Sequence, residues 1–204
     1  GPTHHGVFDL SFLRSTPHLI IAAPADENEL GHMLKTGLDC GKPFVLRYPR
    51  GAGFNVPVDK ELKALPVGKG VWLKKGKDVT IVAIGNRVHP ALEAAELLKE
   101  KGLDAGVINA RFVKPLDTEI LDEALKVSPR LITVEDNALC GGFGSAVAEY
   151  LTGQDKPFHL LRLGLPDEFV EHGKVSQLFE QLGLTAQKMA EKILDWSNAY
   201  EKKS

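Results

Sequence analysis

The chain has 204 residues, 43% of them hydrophobic and 25% charged, and a formal net charge of -2 at pH 7. That make-up suits one large or two small globular domains. It leaves no apolar run of membrane-spanning length and no basic field for nucleic acid, the lysines being dispersed. Cys40 and Cys140 lie far apart and outside metal or redox spacing, so both are read as buried, reduced thiols in a reducing compartment.

Residues 1–6 form a loop dense in potential ligands, Thr3, His4 and His5 among glycines and a proline. With no initiator methionine and no signal or transit segment, this start reads either as the interior of a longer protein or as the scar of a protease site. Val7, Leu10 and Leu13 recur at helical spacing until Pro17 ends the turn. Residues 19–23 predict a buried strand. Asp26-x-x-Glu29 has the form of a capping box, in which the Asp26 side chain accepts from the amide three residues on. The helix it opens carries Leu30, Met33, Leu34 and Leu38 on one stripe. Residues 44–46, between Pro43 and Pro49, read as a strand covered on both faces by helices. The unit is strand, helix, strand, with parallel strands and a right-handed crossover. Two strands and one helix do not cover a sheet of their own, so residues 1–55 are expected to complete a larger domain. Residues 56–65 have no clear period and read as a linker.

From residue 66 a second domain is expected. Residues 71–73 and 79–84 around a Lys-Lys-Gly-Lys-Asp turn look like a hairpin onto a central strand. Helix and strand patterns then alternate: a helix over 90–101 closed by Gly102, a strand at 105–109, a helix capped by Asp117, a strand at 131–134, a helix over 144–151 and a strand at 158–163. Two helices close the chain, one over 174–182 ended by Gly183, the other capped by Thr185 with Met189, Ile193, Trp196 and Tyr200 on one face. The sum is a three-layer α/β domain with a mostly parallel sheet and one antiparallel edge strand.

Arg50 in Arg47-Tyr48-Pro49-Arg50-Gly51 is the first candidate site residue. It sits just past a strand's carboxyl end, where open α/β sheets bind ligands, and its planar fork suits phosphate or carboxylate. The competing reading is a solvated arginine at a domain boundary. His4 and His5 could orient a substrate hydroxyl or carbonyl; a tag remnant or a mobile terminus is the alternative. Two adjacent histidines with no further His or Cys nearby do not make a zinc site. Gly141-Gly142-Phe143-Gly144, between a strand and a helix, lacks the residues of a phosphate loop and the spacing of a dinucleotide fingerprint, and the acidic Glu135-Asp136 upstream would repel an anion. Close packing is the better account of these glycines. Glu135 and Asp136 are read as a solvated pair or a subunit contact.

The motifs Gly-Pro-Thr-His4-His5-Gly-Val-Phe-Asp9, Ala-Pro-Ala-Asp-Glu-Asn-Glu-Leu, Arg47-Tyr48-Pro-Arg50-Gly, Val-Glu135-Asp-Asn, Gly-Gly-Phe-Gly-Ser-Ala-Val and Leu-Gly-Leu-Pro166-Asp167-Glu-Phe-Val-Glu-His172-Gly together resemble the 1-deoxy-D-xylulose-5-phosphate synthase family of transketolase-like enzymes. The resemblance runs from the first residue to about Leu184. It implies a homodimeric, thiamin-diphosphate- and Mg2+-dependent transferase of isoprenoid and thiamine precursor synthesis, acting on pyruvate and glyceraldehyde 3-phosphate in the bacterial cytoplasm or the plastid stroma. On that resemblance residues 1–55 are the second half of a pyrimidine-binding domain and residues 66–204 the carboxyl-terminal domain. The groups that hold the cofactor and metal would then lie in a missing amino-terminal portion, and the chain alone would be inactive. His4 matches the family's active-site histidine, Arg50 resembles its clamp on the aldehyde's phosphate, and Tyr48 stands beside it as a substrate-binding residue. The homologous portion of a transketolase or of a 2-oxo acid dehydrogenase β chain, or a non-catalytic dimerisation or binding module, is the alternative.

Overall fold

A computed structural model describes residues 4–201. Helix α1 (Asp9–Arg14) leads into strand β1 (Ile20–Ala22), helix α2 (Glu27–Asp39) and strand β2 (Phe44–Leu46). β1 and β2 pair parallel, Ile20 opposite Phe44 and Ala22 opposite Leu46. Asp26 caps α2, its side chain accepting the Glu29 amide at 2.9 Å. The Glu29 carboxylate does not return to the capping residue. It accepts instead from the Ala25 amide at 2.8 Å, from Asn109 Nδ2 at 3.0 Å and from Arg111 Nε at 2.7 Å. One end of α2 is therefore built by residues 80 and 82 positions on in the chain.

Strands β3 (Val71–Lys74), β4 (Val79–Ala83), β5 (Ala105–Asn109), β6 (Phe112–Lys114), β7 (Arg130–Ala138) and β8 (His159–Leu165) follow, with helices α3 (Val88–Glu100), α4 (Thr118–Val127), α5 (Phe143–Thr152), α6 (Val175–Leu182) and α7 (Ala186–Glu201) between and after them. The larger sheet has the order β3-β5-β4-β7-β8, parallel except for β3. The predicted hairpin is absent, because β3 pairs with β5 and not with β4. Every residue of β4 is buried, and its two edges are filled by the parallel neighbours β5 and β7, which leaves β3 only the free edge of β5. The turn between β3 and β4 crosses β5 so closely that a Cβ on Gly76 would lie 2.2 Å from the Gly106 nitrogen.

β6 has no counterpart among the predicted strands. It is three residues long and follows Arg111, whose φ of 60° breaks the extended run from β5. It pairs antiparallel with β1 and gives the first sheet its third strand, in the order β2-β1-β6. The stretch read as a linker forms neither helix nor strand but is fastened along α2. Amides of Phe54 and Val56 donate to Glu27, that of Asp59 to Asn28, that of Lys63 to His32 and that of Leu65 to Thr36, all at 2.7 to 3.0 Å. Asn28, His32 and Thr36 recur every four residues, so one face of α2 carries the acceptors. Of its predicted apolar stripe, Met33 is buried while Leu34 and Leu38 are exposed, at 54% and 78%.

α3 and α7 cover one face of the larger sheet; α1, α4 and α5 cover the other. Asp117 caps α4 and Gly183 closes α6 in the left-handed region at φ 71°; Thr185 stands just before α7, its hydroxyl donating to Glu180 at 2.8 Å. Among the described residues no helix is long and apolar enough to cross a membrane.

Candidate functional site

The residues after β2, after β4 and near the end of β7 converge at the carboxyl ends of parallel strands. Arg47 is the tie between them. It donates to the main-chain oxygen of Gly6 at 3.1 Å, to the main-chain oxygen of Asp136, and to the Asp136 carboxylate at 3.3 Å, with the Asp9 carboxylate 3.5 Å from its Nε. Asp136 also accepts from Asn86 Nδ2 at 3.0 Å. A nearly buried guanidinium between two carboxylates is compensated, and removing one member would strand the others. Arg47 thus fixes the loop that carries His4 and His5 against β7. In sequence Arg47 stands only as part of a motif; the readable signal is a second arginine three residues before Arg50.

Arg50 has a different setting. It is exposed, and among the described residues it makes no hydrogen bond or ion pair. It borders two adjoining cavities of about 410 and 450 Å³, and Tyr48 borders both with it. His4 and His5 line the first, so the structure brings His4, Tyr48 and Arg50 to one hollow. The facing wall is apolar, built by Val170 and by Val175, Leu178, Phe179 and Leu182 of α6. The His5 ring stands 6.4 Å from that of Phe8 and 6.2 Å from that of Phe169, and its buried Nδ1 has no partner among the described residues.

The second strand end with acidic residues is occupied by the protein itself. Glu135 and Asp136 are buried, not solvated. The Glu135 carboxylate accepts the amides of Phe143 at 2.6 Å and Gly144 at 2.7 Å, taking the place of an anion at the start of α5. A Cβ on Gly142 would fall 2.2 Å from Glu135 Oε2 and one on Gly144 2.6 Å from Thr133 Oγ1, so these glycines serve close approach. The loop's carbonyls are taken as well: Arg14 donates to Gly141 at 2.7 Å and Ser11 to Cys140 at 2.7 Å. Cys140 is exposed, not buried as its sequence setting suggested.

Burial pushes the Glu135 carboxyl up to about 7, against the two amide hydrogen bonds, which favour its charged form. The sign follows from linkage. A carboxyl whose folded pKa is raised favours folding while both states are protonated, and that contribution is lost as pH rises from about 4.5 through 7. At 1.36 kcal/mol per unit the loss is roughly 3 kcal/mol. The stability of wild type minus that of Glu135→Gln, from urea unfolding, is therefore expected to fall by about that amount between pH 4.5 and 7.5. A difference independent of pH would contradict it.

With this geometry in place, comparison with known proteins decides the family. Residues 68–189, more than half of the chain, match the model of the transketolase C-terminal domain. The chain belongs to this family. Residues 1–54 match the model of the transketolase pyrimidine binding domain. Among curated relatives of the chain, the 1-deoxy-D-xylulose-5-phosphate synthase of Heliobacterium modesticaldum is 52% identical over 190 residues, covering 93% of the chain and 29% of the relative. The synthase 1 of Geobacter sulfurreducens is 56% identical over 187 residues, 91% of the chain and 29% of the relative. The chain spans about 30% of the length of such relatives. A split-gene transketolase, described as an inactive β4 tetramer, has a TM-score of 0.83 at 30% identity and covers 96% of this chain and 63% of that one. Transketolase of Pichia stipitis shares the fold with a TM-score of 0.67 at 22% identity. The transketolase-like α/β fold expected from sequence is the one observed, antiparallel edge strand included.

Proposed function

We propose that the chain is the carboxyl-terminal portion of a longer 1-deoxy-D-xylulose-5-phosphate synthase, which decarboxylates pyruvate and joins the remaining two carbons to glyceraldehyde 3-phosphate. In this reading residues 1–55 complete a pyrimidine-binding domain, residues 56–65 connect it to the rest, and the partners are the remainder of the protein and a second copy in a homodimer. The supporting observation is the position of Arg50: a guanidinium at a strand end, unengaged among the described residues and sharing a hollow with Tyr48 and His4. A phosphate dianion offers such a fork charge-assisted hydrogen bonds, and the Tyr48 hydroxyl adds a donor on the same side. In this reading His4 hydrogen-bonds the aldehyde oxygen and passes it a proton as the new carbon–carbon bond turns the carbonyl into an alkoxide.

Such a transferase implies thiamin diphosphate and a divalent ion. We assign that site to the rest of the protein; among the described residues no three or more His, Cys, Asp or Glu gather as metal ligands. The isolated 204-residue chain is accordingly expected to be inactive and to bind thiamin diphosphate more weakly than micromolar. Titration calorimetry checks this, and micromolar or tighter binding would contradict the assignment. The similar split-gene transketolase is described as inactive in its β4 form. That likeness also favours a second reading, the matching portion of a transketolase. Stoichiometric release of CO2 from pyruvate with carbon–carbon bond formation by the longer protein separates the two, since a ketol transfer between sugars releases none.

A further inference from the structure

Helix α6 forms the apolar wall of the hollow, yet none of its residues is fully buried. It lies between Gly173 and the left-handed Gly183. Its main tie to the polar side is Arg87, in the 3-10 turn Gly85–Arg87 after β4. Arg87 is 5% exposed, and its guanidinium carbon lies 3.6 Å from the centre of the Phe179 ring of α6. Its Nη1 donates to the carbonyl of Leu184, just past the helix, at 3.1 Å, and its Nε donates to Asn86 Oδ1 at 3.1 Å. Asn86 in turn donates to the Asp136 carboxylate that Arg47 also holds. Among the described residues no carboxylate pairs directly with Arg87. A buried arginine held by a ring, a carbonyl and an amide is costly for packing alone, where an apolar side chain of similar volume serves as well.

We propose that Arg87 is a positioning residue: it latches α6 over the hollow that holds His4, Tyr48 and Arg50, and couples that helix through Asn86, Asp136 and Arg47 to the His4 loop. The latched wall sets the distance between Phe179 and an acceptor held at Arg50. The consequence for catalysis rests on the transferase reading above; the latch itself does not.

Two measurements test it. Amide hydrogen exchange on the 204-residue chain reads the latch directly. Arg87→Met, which keeps the volume and loses the donors, is expected to speed exchange across residues 175–182 at least tenfold while α3 and β4 stay within threefold, with Arg87→Lys between the two. Unchanged exchange in α6 overturns the proposal. Kinetics on the longer enzyme read the positioning: Arg87→Met should raise KM for glyceraldehyde 3-phosphate about tenfold with kcat and the KM for pyruvate within threefold. Equal change in both KM values, or in neither, overturns the positioning role. If Arg87→Met does not fold, Phe179→Leu leaves the charged chain intact and is expected to loosen α6 alone, with unchanged exchange again overturning the latch. A wild-type longer enzyme that shows no transfer from pyruvate sinks the transferase reading and leaves the exchange result standing, so the two failures are told apart.

Discussion

Arg50→Ala in the longer enzyme is expected to lower the catalytic efficiency toward glyceraldehyde 3-phosphate roughly a hundredfold or more, while pyruvate binding stays within a few-fold. Charge-assisted hydrogen bonds are worth about 1.5 to 3 kcal/mol each, and every 1.4 kcal/mol is a factor of ten. No neighbour substitutes. Arg47, three residues earlier, is spent on Gly6, Asp9 and Asp136, and Arg87 is spent on Asn86, Leu184 and the Phe179 ring. Arg50→Lys should rescue in part, because a point charge lacks the two-pronged geometry. Unphosphorylated glyceraldehyde is the control: with no phosphate to lose, wild type and variant should use it about equally poorly. Steady-state kinetics with both aldehydes decide the matter, and equal losses toward both would show that Arg50 is not the clamp.

The same comparison of the two arginines shows what sequence can carry. That Arg50 follows a strand was legible, since Phe44-Val45-Leu46 between two prolines is a local pattern. That Arg47 would be walled in and Arg50 left open was not, because it depends on Asp136, which is 89 residues away in sequence. The helices and the central strands were legible for the same local reason: Asp26 and Asp117 open their helices and Gly183 closes its own by chemistry that acts within a few residues. The pairing of β3 with β5 was not, since an edge strand joins whichever neighbour is left open. Nor was β6, whose three residues carry no period and whose partner lies in the first unit. Glu135 and Asp136 misled because a carboxylate is normally solvated; only the fold shows two helix-start amides and two side-chain donors waiting for them.

His4→Ala in the longer enzyme should lower turnover at saturating substrates by a factor on the order of 10² to 10⁴, as for a positioned acid–base group. The size of the effect rests on how firmly the loop is held. The Arg47 guanidinium bonds the Gly6 carbonyl two residues on, and the Val7 carbonyl accepts the Ala138 amide at 2.7 Å, so His4 is set at the lip of the hollow from β7. The hollow's far wall is apolar, so a carbonyl oxygen gaining charge there is stabilised from the side that carries His4, Tyr48 and Arg50. His4→Gln keeps a hydrogen-bond donor but has no acidic proton to hand over, so it should recover only part of the loss. Calorimetric binding of thiamin diphosphate to the same variants separates chemistry from misfolding: affinity within a few-fold of wild type together with the turnover loss assigns the effect to the reacting atoms. Turnover near that of wild type in His4→Ala would make His4 a loop residue only.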